Sequence, residues 1–236
     1  MEVEVLATGS KGNCYVIRNK DTALLIECGI RFTEIQKKLN FNLSIDGCLL
    51  THSHKDHSLA AENICKRGIN LYTSKGTAEE LGFKHHRLKI LKKKQGEYVP
   101  IEIGSFKVIP FRTQHDTKEP VGFYIVDTVN KETLLFVTDT VYLEYTFPKV
   151  TYLMIECNYI KENLDRNVID GYLNVNLRNR IVKNHMSLET LLEFISVNNW
   201  DRLSEIYILH LSDNNSDEEV IKNKVQEATG RPVVIC

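Results

Sequence analysis

The sequence predicts an α/β fold, and two observations support this prediction. Short runs rich in Val, Ile, Leu, Phe and Tyr fill the first half of the chain, separated by Gly, Asn, Asp or Lys, which is typical of strands. Several runs are apolar throughout, which indicates strands covered on both faces. The predicted strands are "VEVLA", "CYVI", "ALLIEC", "GCLLT", "INLYT", "FKVIPF", "VGFYIV" and "TLLFVT".

Helical segments lie between these runs. "FTEIQKKLN" (32–40) places Phe32, Ile35 and Leu39 on one face. "SLAAENICKRG" (58–68) predicts a helix that stops at Gly68, and "SKGTAEELG" (74–82) predicts another short one.

The second half is more helical. "MSLETLLEFISVNN" (186–199) has leucines and an isoleucine at helical spacing. "SDEEVIKNKVQEATG" (216–230) has an N-cap serine, acids in its first turn and a closing glycine. The runs "YLMIE" (152–156), "IYILH" (206–210) and "RPVVIC" (231–236) predict strands that interleave with these helices.

Composition excludes several classes of protein. The 236 residues suit a single domain, 1–236, and a net charge of −1 excludes a global basic excess of the kind that drives nonspecific nucleic-acid binding. The six cysteines form no Cys-x-x-Cys pair, so a cysteine zinc knuckle is not expected. With neither a signal peptide nor an apolar run long enough for a membrane span, we expect a reduced, cytoplasmic protein, in the host cytoplasm if the source is a virus.

Metal-ligating residues are concentrated in "THSHKDH". His52 and His54 share a face if the backbone stays extended after the strand, and Asp56 and His57 come as the chain turns into a helix. Two ligand pairs pointing in two directions suit two metal ions close together. Imidazole and carboxylate are the donors that zinc prefers, with iron and manganese as alternatives.

Three more candidate ligands stand at the ends of apolar runs. They are His115 in "PFRTQHDT", Asp139 in "LLFVTDT" and His210 in "IYILHLSD". Ligands gathered at strand ends on one sheet edge are what a site in an α/β sheet requires.

His-x-His-x-Asp-His, followed in order by a lone His, an Asp and a final His, resembles the metallo-β-lactamase fold superfamily over nearly the whole chain. The resemblance implies an αββα sandwich of two mixed β-sheets flanked by helices. It also implies two divalent metal ions, with Zn²⁺ first and Mn²⁺ or Fe²⁺ as alternatives. One metal would be held by His52, His54 and His115, the other by Asp56, His57 and His210, with Asp139 bridging them. The family's Asp-x-Gly before the motif is replaced by "ECG", and the longer carboxylate of Glu27 is expected to reach a ligand histidine as a hydrogen-bond acceptor.

The resemblance also implies hydrolysis, because two metal ions can activate a water molecule and stabilise the substrate's oxygens. "MIECNY" and "NHMSLET" are similar to motifs of ribonuclease Z and its relatives, the phosphodiesterase branch. Candidate catalytic residues are therefore Asp56, Glu156 and His185, with the His185 imidazole meeting a phosphate oxygen. Ser10 and Asn13, in "ATGSKGNCYVI", are candidate substrate-binding residues together with His185.

Three hypotheses for the function stay open. The whole motif series resembles small phage-borne members of the superfamily, among them the anti-Pycsar phosphodiesterases. That resemblance favours hydrolysis of cyclic mononucleotides such as cyclic CMP and cyclic UMP, in a phage protein that counters a bacterial defence. The alternatives are a nuclease of the ribonuclease Z or DNA-exonuclease type and a non-enzymatic metal-binding fold.

The oligomeric state and the roles of two segments are further expectations. Relatives of this kind are commonly homodimers, so we expect a homodimer. For the Asn-rich segment 158–184 the sequence allows three roles, which are a helical insertion, a lid and an oligomer contact. The basic run "KKKQGE" (92–97) is expected to be a solvated turn between strands, with an electrostatic guide for an anionic substrate as the alternative.

Overall fold

A computed structural model describes all 236 residues. The fold is α/β, and its internal contacts group the chain into two units. Unit 1 comprises Met1–Arg112 and Thr117–Glu132, and unit 2 comprises Thr113–Asp116 and Thr133–Cys236. No helix in the chain combines the length and the apolar character that crossing a membrane requires.

A six-stranded mixed sheet organises unit 1, with its strands side by side in chain order. The first three strands are antiparallel, and the third to the sixth are parallel. The strands are β1 (Glu2–Ala7), β2 (Cys14–Arg18), β3 (Ala23–Ile26), β4 (Gly47–Leu49), β5 (Leu71–Thr73) and β6 (Leu88–Ile90).

Helices supply the crossovers that parallel strands need. They are α1 (Phe32–Lys38), α2 (Lys55–Ser58), α3 (Ala61–Lys66) and α4 (Lys75–Leu81). Val16 and Leu25 from the sheet join Ile35 of α1 and Ile64 of α3 in one buried apolar cluster. This burial is what holds the loop after β4, and therefore the histidine motif, in a defined place.

The rest of unit 1 is antiparallel. A short hairpin pairs β7 (Lys93–Lys94) with β8 (Glu97–Tyr98). The strand β10 (Phe106–Arg112) pairs with both β9 (Ile101–Ile103) and β11 (Val121–Asp127). The hairpin confirms the turn expected at 92–97.

Four parallel strands form the framework of unit 2. They are β12 (Thr133–Val137), β13 (Tyr152–Glu156), β14 (Glu205–Leu209) and β15 (Val233–Ile235), each paired with the next. The helices are α5 (Lys161–Ile169), α6 (Val175–Asn184), α7 (Leu188–Val197) and α8 (Glu218–Thr229). All five residues of β12 are buried, as a strand covered on both faces must be.

Three local features differ from the expectation or complete it. The helix predicted over 58–68 is shorter, since α3 begins at Ala61, and the separate short helix α2 precedes it within the histidine motif. The N-cap of α8 is Asp217, which accepts from the backbone of Val220, and not the expected Ser216. The segment 158–184, whose role the sequence leaves undecided, contains two helices, α5 and α6.

Candidate functional site

Three imidazoles of unit 1 converge in the loop after β4. His54 is the extended residue that precedes α2, so the chain turns sharply between His52 and His57. The ring centroids of His52 and His54 lie 4.9 Å apart, and those of His52 and His57 lie 4.1 Å apart. The structure thus brings the three imidazoles of the motif together, and their role as metal ligands stays a prediction.

Asp56 and His57 present a pair of donor atoms to the same point. The Oδ2 atom of Asp56 lies 3.4 Å from Nε2 of His57. Two ligands of one tetrahedral zinc ion, each about 2.0–2.1 Å from the metal, are separated by about 3.3 Å. The pair therefore has the spacing of two ligands on one ion.

Glu27 lies behind this pair. It directly follows β3, adopts φ 61°, and its side chain is fully buried. Its Oε1 atom is 3.6 Å from Nδ1 of His57, on the opposite side of the ring from Asp56. Burial raises the pKa of Glu27 and the His57 imidazole opposes this shift. The longer carboxylate therefore comes within ion-pair distance of a candidate ligand histidine, at a separation longer than a hydrogen bond, and support by Glu27 stays a prediction.

The loop 9–13 packs directly on the backbone of the motif. Asn13 is buried, its backbone N–H donates to the Asp56 carbonyl at 2.7 Å, and its amide lies 3.1 Å from Nε2 of His57. Gly29 is required here, because a Cβ atom at this position would lie 1.6 Å from the Asp56 carbonyl oxygen. Ser10 is exposed, and substrate binding by Ser10 and Asn13 stays a prediction.

The second candidate cluster lies in unit 2, where His115, Asp139 and His210 come together. Oδ2 of Asp139 is 3.6 Å from Nε2 of His115, and Oδ1 of Asp139 is 2.6 Å from Nδ1 of His210. Asp139 thus faces a different histidine with each oxygen, and its role as a bridging ligand stays a prediction.

Unusual backbone conformations aim two of these side chains. Asp139 and His210, each close after a buried strand, adopt φ 46° and 53°. Such left-handed conformations cost about 1–3 kcal/mol each and are concentrated at functional sites. Because Glu27 shares the feature, three separate strand ends turn in this way beside candidate site residues.

Glu156 and His185, two of the candidate catalytic residues, are hydrogen-bonded to each other. Nδ1 of His185 donates to Oε2 of Glu156 at 3.0 Å, while the backbone N–H groups of Thr140 and Met186 donate to Oε1. Burial lowers the pKa of His185, but the carboxylates of Glu156 and Asp139 outweigh it and raise the pKa overall. Burial raises the pKa of Glu156, and the neighbouring imidazoles reverse the shift and lower it.

The electrostatics of this cluster favour a cation. Burial lowers the pKa of His210, yet Asp139 and Glu156 outweigh burial and raise it to about 10. A buried place that stabilises an extra positive charge this strongly fits a divalent metal ion.

One contact of the site, between Asn184 and His115, was not predicted from the sequence. The carbonyl of Asn184 lies 3.0 Å from Nδ1 of His115, and the Asn184 amide donates to Asp116 at 3.0 Å. The contact leaves Nε2 of His115 facing Asp139. No sequence pattern marks Asn184, since the contact uses a backbone atom at the end of α6.

The donor chemistry of both clusters fits metal ions. In unit 2, one ligand atom from each of four residues lies within 4.8 Å of the others; these residues are Asp139, Glu156, His185 and His210. Imidazole nitrogen and carboxylate oxygen are the donors that zinc, iron and manganese accept. Each unit therefore carries His and Asp side chains that could hold a metal ion.

Comparison with known proteins agrees with this chemistry. The model of the family "Metallo-beta-lactamase superfamily" matches residues 7–149. Exodeoxyribonuclease YycJ of Bacillus anthracis is 25% identical over 243 residues, covering 96% of this chain and 88% of the relative.

Solved structures share the fold. The metallo-beta-lactamase fold protein YhfI from Bacillus subtilis has a TM-score of 0.74 at 17% identity, covering 99% of this chain and 95% of that chain. The short form of human tRNase Z has a TM-score of 0.63 at 14% identity, covering 100% of this chain and 96% of that chain. These similarities confirm the predicted fold, with its mixed sheets and flanking helices. The chain belongs to the metallo-beta-lactamase superfamily and is a hydrolase of that superfamily.

Proposed function

We propose that this protein is a metal-dependent phosphodiesterase that removes nucleotides from the ends of DNA. The observation that supports phosphodiester hydrolysis is the hydrogen-bonded pair Glu156–His185. Oε2 of Glu156 also lies 3.7 Å from Nδ1 of His210, which forms an ion pair with Asp139. The DNA substrate is supported by the relative YycJ, which is named an exodeoxyribonuclease and matches nearly the full chain.

The proposed metal ligands are the seven residues identified from the sequence. Their support is the family membership together with the donor spacing inside each cluster. They are His52, His54, Asp56, His57, His115, Asp139 and His210. When bound, two divalent ions would stabilise charge on the phosphoryl oxygens and increase the acidity of the attacking water. Zn²⁺ is the first choice, with Mn²⁺ and Fe²⁺ as alternatives.

His185 is the proposed proton donor. Because Glu156 accepts from Nδ1, the Nε2 atom is left to face the substrate. The imidazole retains some exposure, 19% of its side chain, so a phosphate oxygen can reach it. A proton from Nε2 to the leaving alkoxide lets that oxygen depart as a hydroxyl.

Asp56 has a different proposed part. Its side chain is 26% exposed, in contrast to the fully buried His57 beside it. A water molecule can therefore donate a hydrogen bond to this carboxylate, which would orient its lone pair toward phosphorus.

The test is a parallel assay of one metal-loaded preparation. Linear single- and double-stranded DNA, closed circular DNA, RNA and the four cyclic mononucleotides are each incubated with it. We expect mononucleotides from linear DNA, none from closed circles, and no product after chelation. Product from the cyclic mononucleotides alone would overturn the DNA assignment and leave phosphodiester hydrolysis standing.

Cyclic-mononucleotide hydrolysis is the second candidate function. The observation that favours it is the balanced charge of the chain, 30 basic against 31 acidic residues, since a small substrate needs no long basic face. In this case cyclic CMP and cyclic UMP would be cleaved, and we propose a phage protein that acts against a bacterial cyclic-nucleotide defence. The same assay separates the two candidates.

We also propose a homodimer that uses the segment 158–184. Four apolar side chains of this segment are about half exposed or more, and they are Ile169, Tyr172, Val175 and Leu177. Light scattering should give twice the chain mass, and Tyr172→Glu should give the mass of one chain. Val197→Glu is the matched control, because Val197 is 67% exposed on α7 outside the segment. A monomeric wild type would contradict the proposal.

A cytoplasmic location is proposed too. Its support is the presence of five buried free thiols, which are Cys14, Cys28, Cys48, Cys65 and Cys157.

A further inference from the structure

Positive charge is concentrated in one short stretch of unit 1. Six of the eleven residues from 84 to 94 are Lys or Arg, although the chain as a whole carries a net charge of −1. Two histidines, His85 and His86, lie within the same stretch. The proposed hydrolysis makes no use of any of these side chains.

The stretch forms the edge of the six-stranded sheet. The strand β6 pairs only with β5, so one side of its backbone faces outward. Lys84 and His86 are exposed before β6, Lys89 is exposed on it, and Lys92 and Lys94 are exposed after it. We call this surface, residues 84–94, the basic edge.

Most of this charge is not neutralised within the protein. Lys93 is the exception, because it lies 2.5 Å from the carboxylate of Glu119 and over the ring of Tyr98. Lys94 stands opposite Glu97 in the backbone register of the β7–β8 hairpin, and no ion pair joins their side chains. No ion pair forms at Lys84, Lys89 or Lys92, so the basic edge keeps a net positive charge.

Apolar and aromatic side chains lie between the cations. A groove of about 530 Å³ beside β6 is lined partly by Tyr72, His86 and Val99. The rings of His85 and His86 stack with centroids 4.5 Å apart. Cations interleaved with ring faces are typical of surfaces that bind single-stranded nucleic acid, where bases stack and phosphates meet lysines.

Protection of the sheet edge is a simpler explanation for some of these lysines. Charged side chains on an edge strand prevent pairing with a second chain. That explanation needs only Lys89, which lies on the strand. It does not require cations on both sides of β6 or an apolar groove beside them.

The basic edge lies on the same sheet as the histidine motif. Leu49 of β4 is in register with Tyr72, and Tyr72 is in register with Lys89, in three parallel strands. Two strand spacings, about 10 Å, therefore separate β4 from β6. Because these strands are parallel, His52 after β4 and Lys92 after β6 leave the sheet at the same end of the strands.

We propose that the basic edge binds the backbone of single-stranded DNA and guides the chain end toward the histidine motif. This inference rests on the proposed DNA substrate and names the surface that holds the part of the DNA that is not being cut.

The test compares two triple variants with equal loss of charge. Lys89→Gln/Lys92→Gln/Lys94→Gln alters the basic edge. Lys37→Gln/Lys38→Gln/Lys222→Gln alters three exposed lysines elsewhere. Binding of the metal-loaded proteins to a fluorescent phosphorothioate 20-mer is measured by anisotropy at several salt concentrations. Turnover of bis-p-nitrophenyl phosphate, which is too small to reach the basic edge, reports the integrity of fold and site.

We expect the basic-edge variant to bind the 20-mer at least about tenfold more weakly and its salt slope to fall by about 2, since each lost phosphate contact removes about 0.7. Its reporter turnover should match wild type, and the control variant should match wild type in both measurements. A further variant, His85→Ala/His86→Ala, should weaken binding without changing the salt slope, because stacking releases no counterions.

The outcomes separate the two proposals. Equal binding by the basic-edge variant and wild type, or no DNA binding by wild type at low salt, overturns this inference. Wild-type protein that binds the 20-mer through the basic edge but degrades no DNA contradicts the proposed nuclease and leaves the binding surface standing.

Discussion

His185 donates its Nδ1 hydrogen to Glu156 across 29 residues of sequence, at 3.0 Å. The other oxygen of the same carboxylate accepts from two backbone N–H groups, those of Thr140 and Met186. The segments after β12 and before α7 therefore hold Glu156 in place. Its hydrogen bond to Nδ1 in turn fixes the orientation of the His185 imidazole. A proton donor whose orientation is set in advance needs no rearrangement when substrate binds.

Removal of the imidazole tests the proton-donor assignment. His185→Ala should lower kcat on a DNA end by about 10²–10⁴-fold, the range for loss of a general acid. Metal content, measured by elemental analysis, should stay at the wild-type value because His185 is not among the seven proposed ligands. Wild-type turnover by this variant would remove His185 from the mechanism.

The pH profile tests the contribution of Glu156. Its carboxylate stabilises the imidazolium and helps to raise the pKa of His185 above the ordinary value. Glu156→Gln keeps an acceptor oxygen but removes the charge, so this pKa should fall. Since the donor must be protonated, the alkaline limb of the kcat profile should move to lower pH. An unmoved limb, or one at higher pH, would contradict the assignment.

Metal affinity tests Glu27. Loss of a carboxylate behind a ligand histidine typically costs 10–100-fold in affinity. Glu27→Gln should therefore lose its metal to a competing chelator at about 10–100-fold lower chelator concentration than wild type. Glu119→Gln is the control, since Glu119 binds Lys93, Tyr98 and Gly76 instead of a candidate ligand. Equal retention by the Glu27 variant and wild type would mean that Glu27 gives no support.

Two helix caps offer a matched pair of variants. Ser187 accepts from the backbone of Thr190 at the start of α7, and Asp217 accepts from Val220 at the start of α8. Replacing either with Ala should lower the free energy of unfolding by about 1 kcal/mol, as loss of an N-cap does. Only Ser187→Ala should also lower kcat, since Ser187 follows His185 by two residues. Denaturant unfolding and turnover measure the two effects. Equal turnover by both variants would uncouple this cap from the site.

Thiol accessibility tests the packing of the core. Five of the six cysteines are buried, and only Cys236 is partly exposed. Burial raises the pKa of Cys236 to about 11, so its reactive thiolate is scarce at pH 8. Ellman's reagent should therefore react with at most one thiol per folded chain, slowly, and with six in denaturant. Rapid reaction of several thiols in the folded protein would contradict the packing.

Much of the fold could be predicted from local sequence. The helices α4 and α8 end at Gly82 and Gly230, both left-handed, as glycine after the last turn predicts. The use of Asp217 and not Ser216 as the N-cap of α8 went unpredicted because both residue types cap helices well. The later start of α3, at Ala61, went unpredicted because the apolar spacing of 58–68 alone is compatible with one continuous helix.

The sequence by itself determined the chemistry that is available. It specified which residues carry imidazole and carboxylate groups, in which order, and at the ends of which apolar strands, because those properties are local to the chain. Only the tertiary structure decided which of these groups meet. It placed Glu27 behind His57, turned the Asn184 carbonyl to His115 and exposed the edge of β6, since such contacts join residues far apart in sequence and depend on how strands and helices pack.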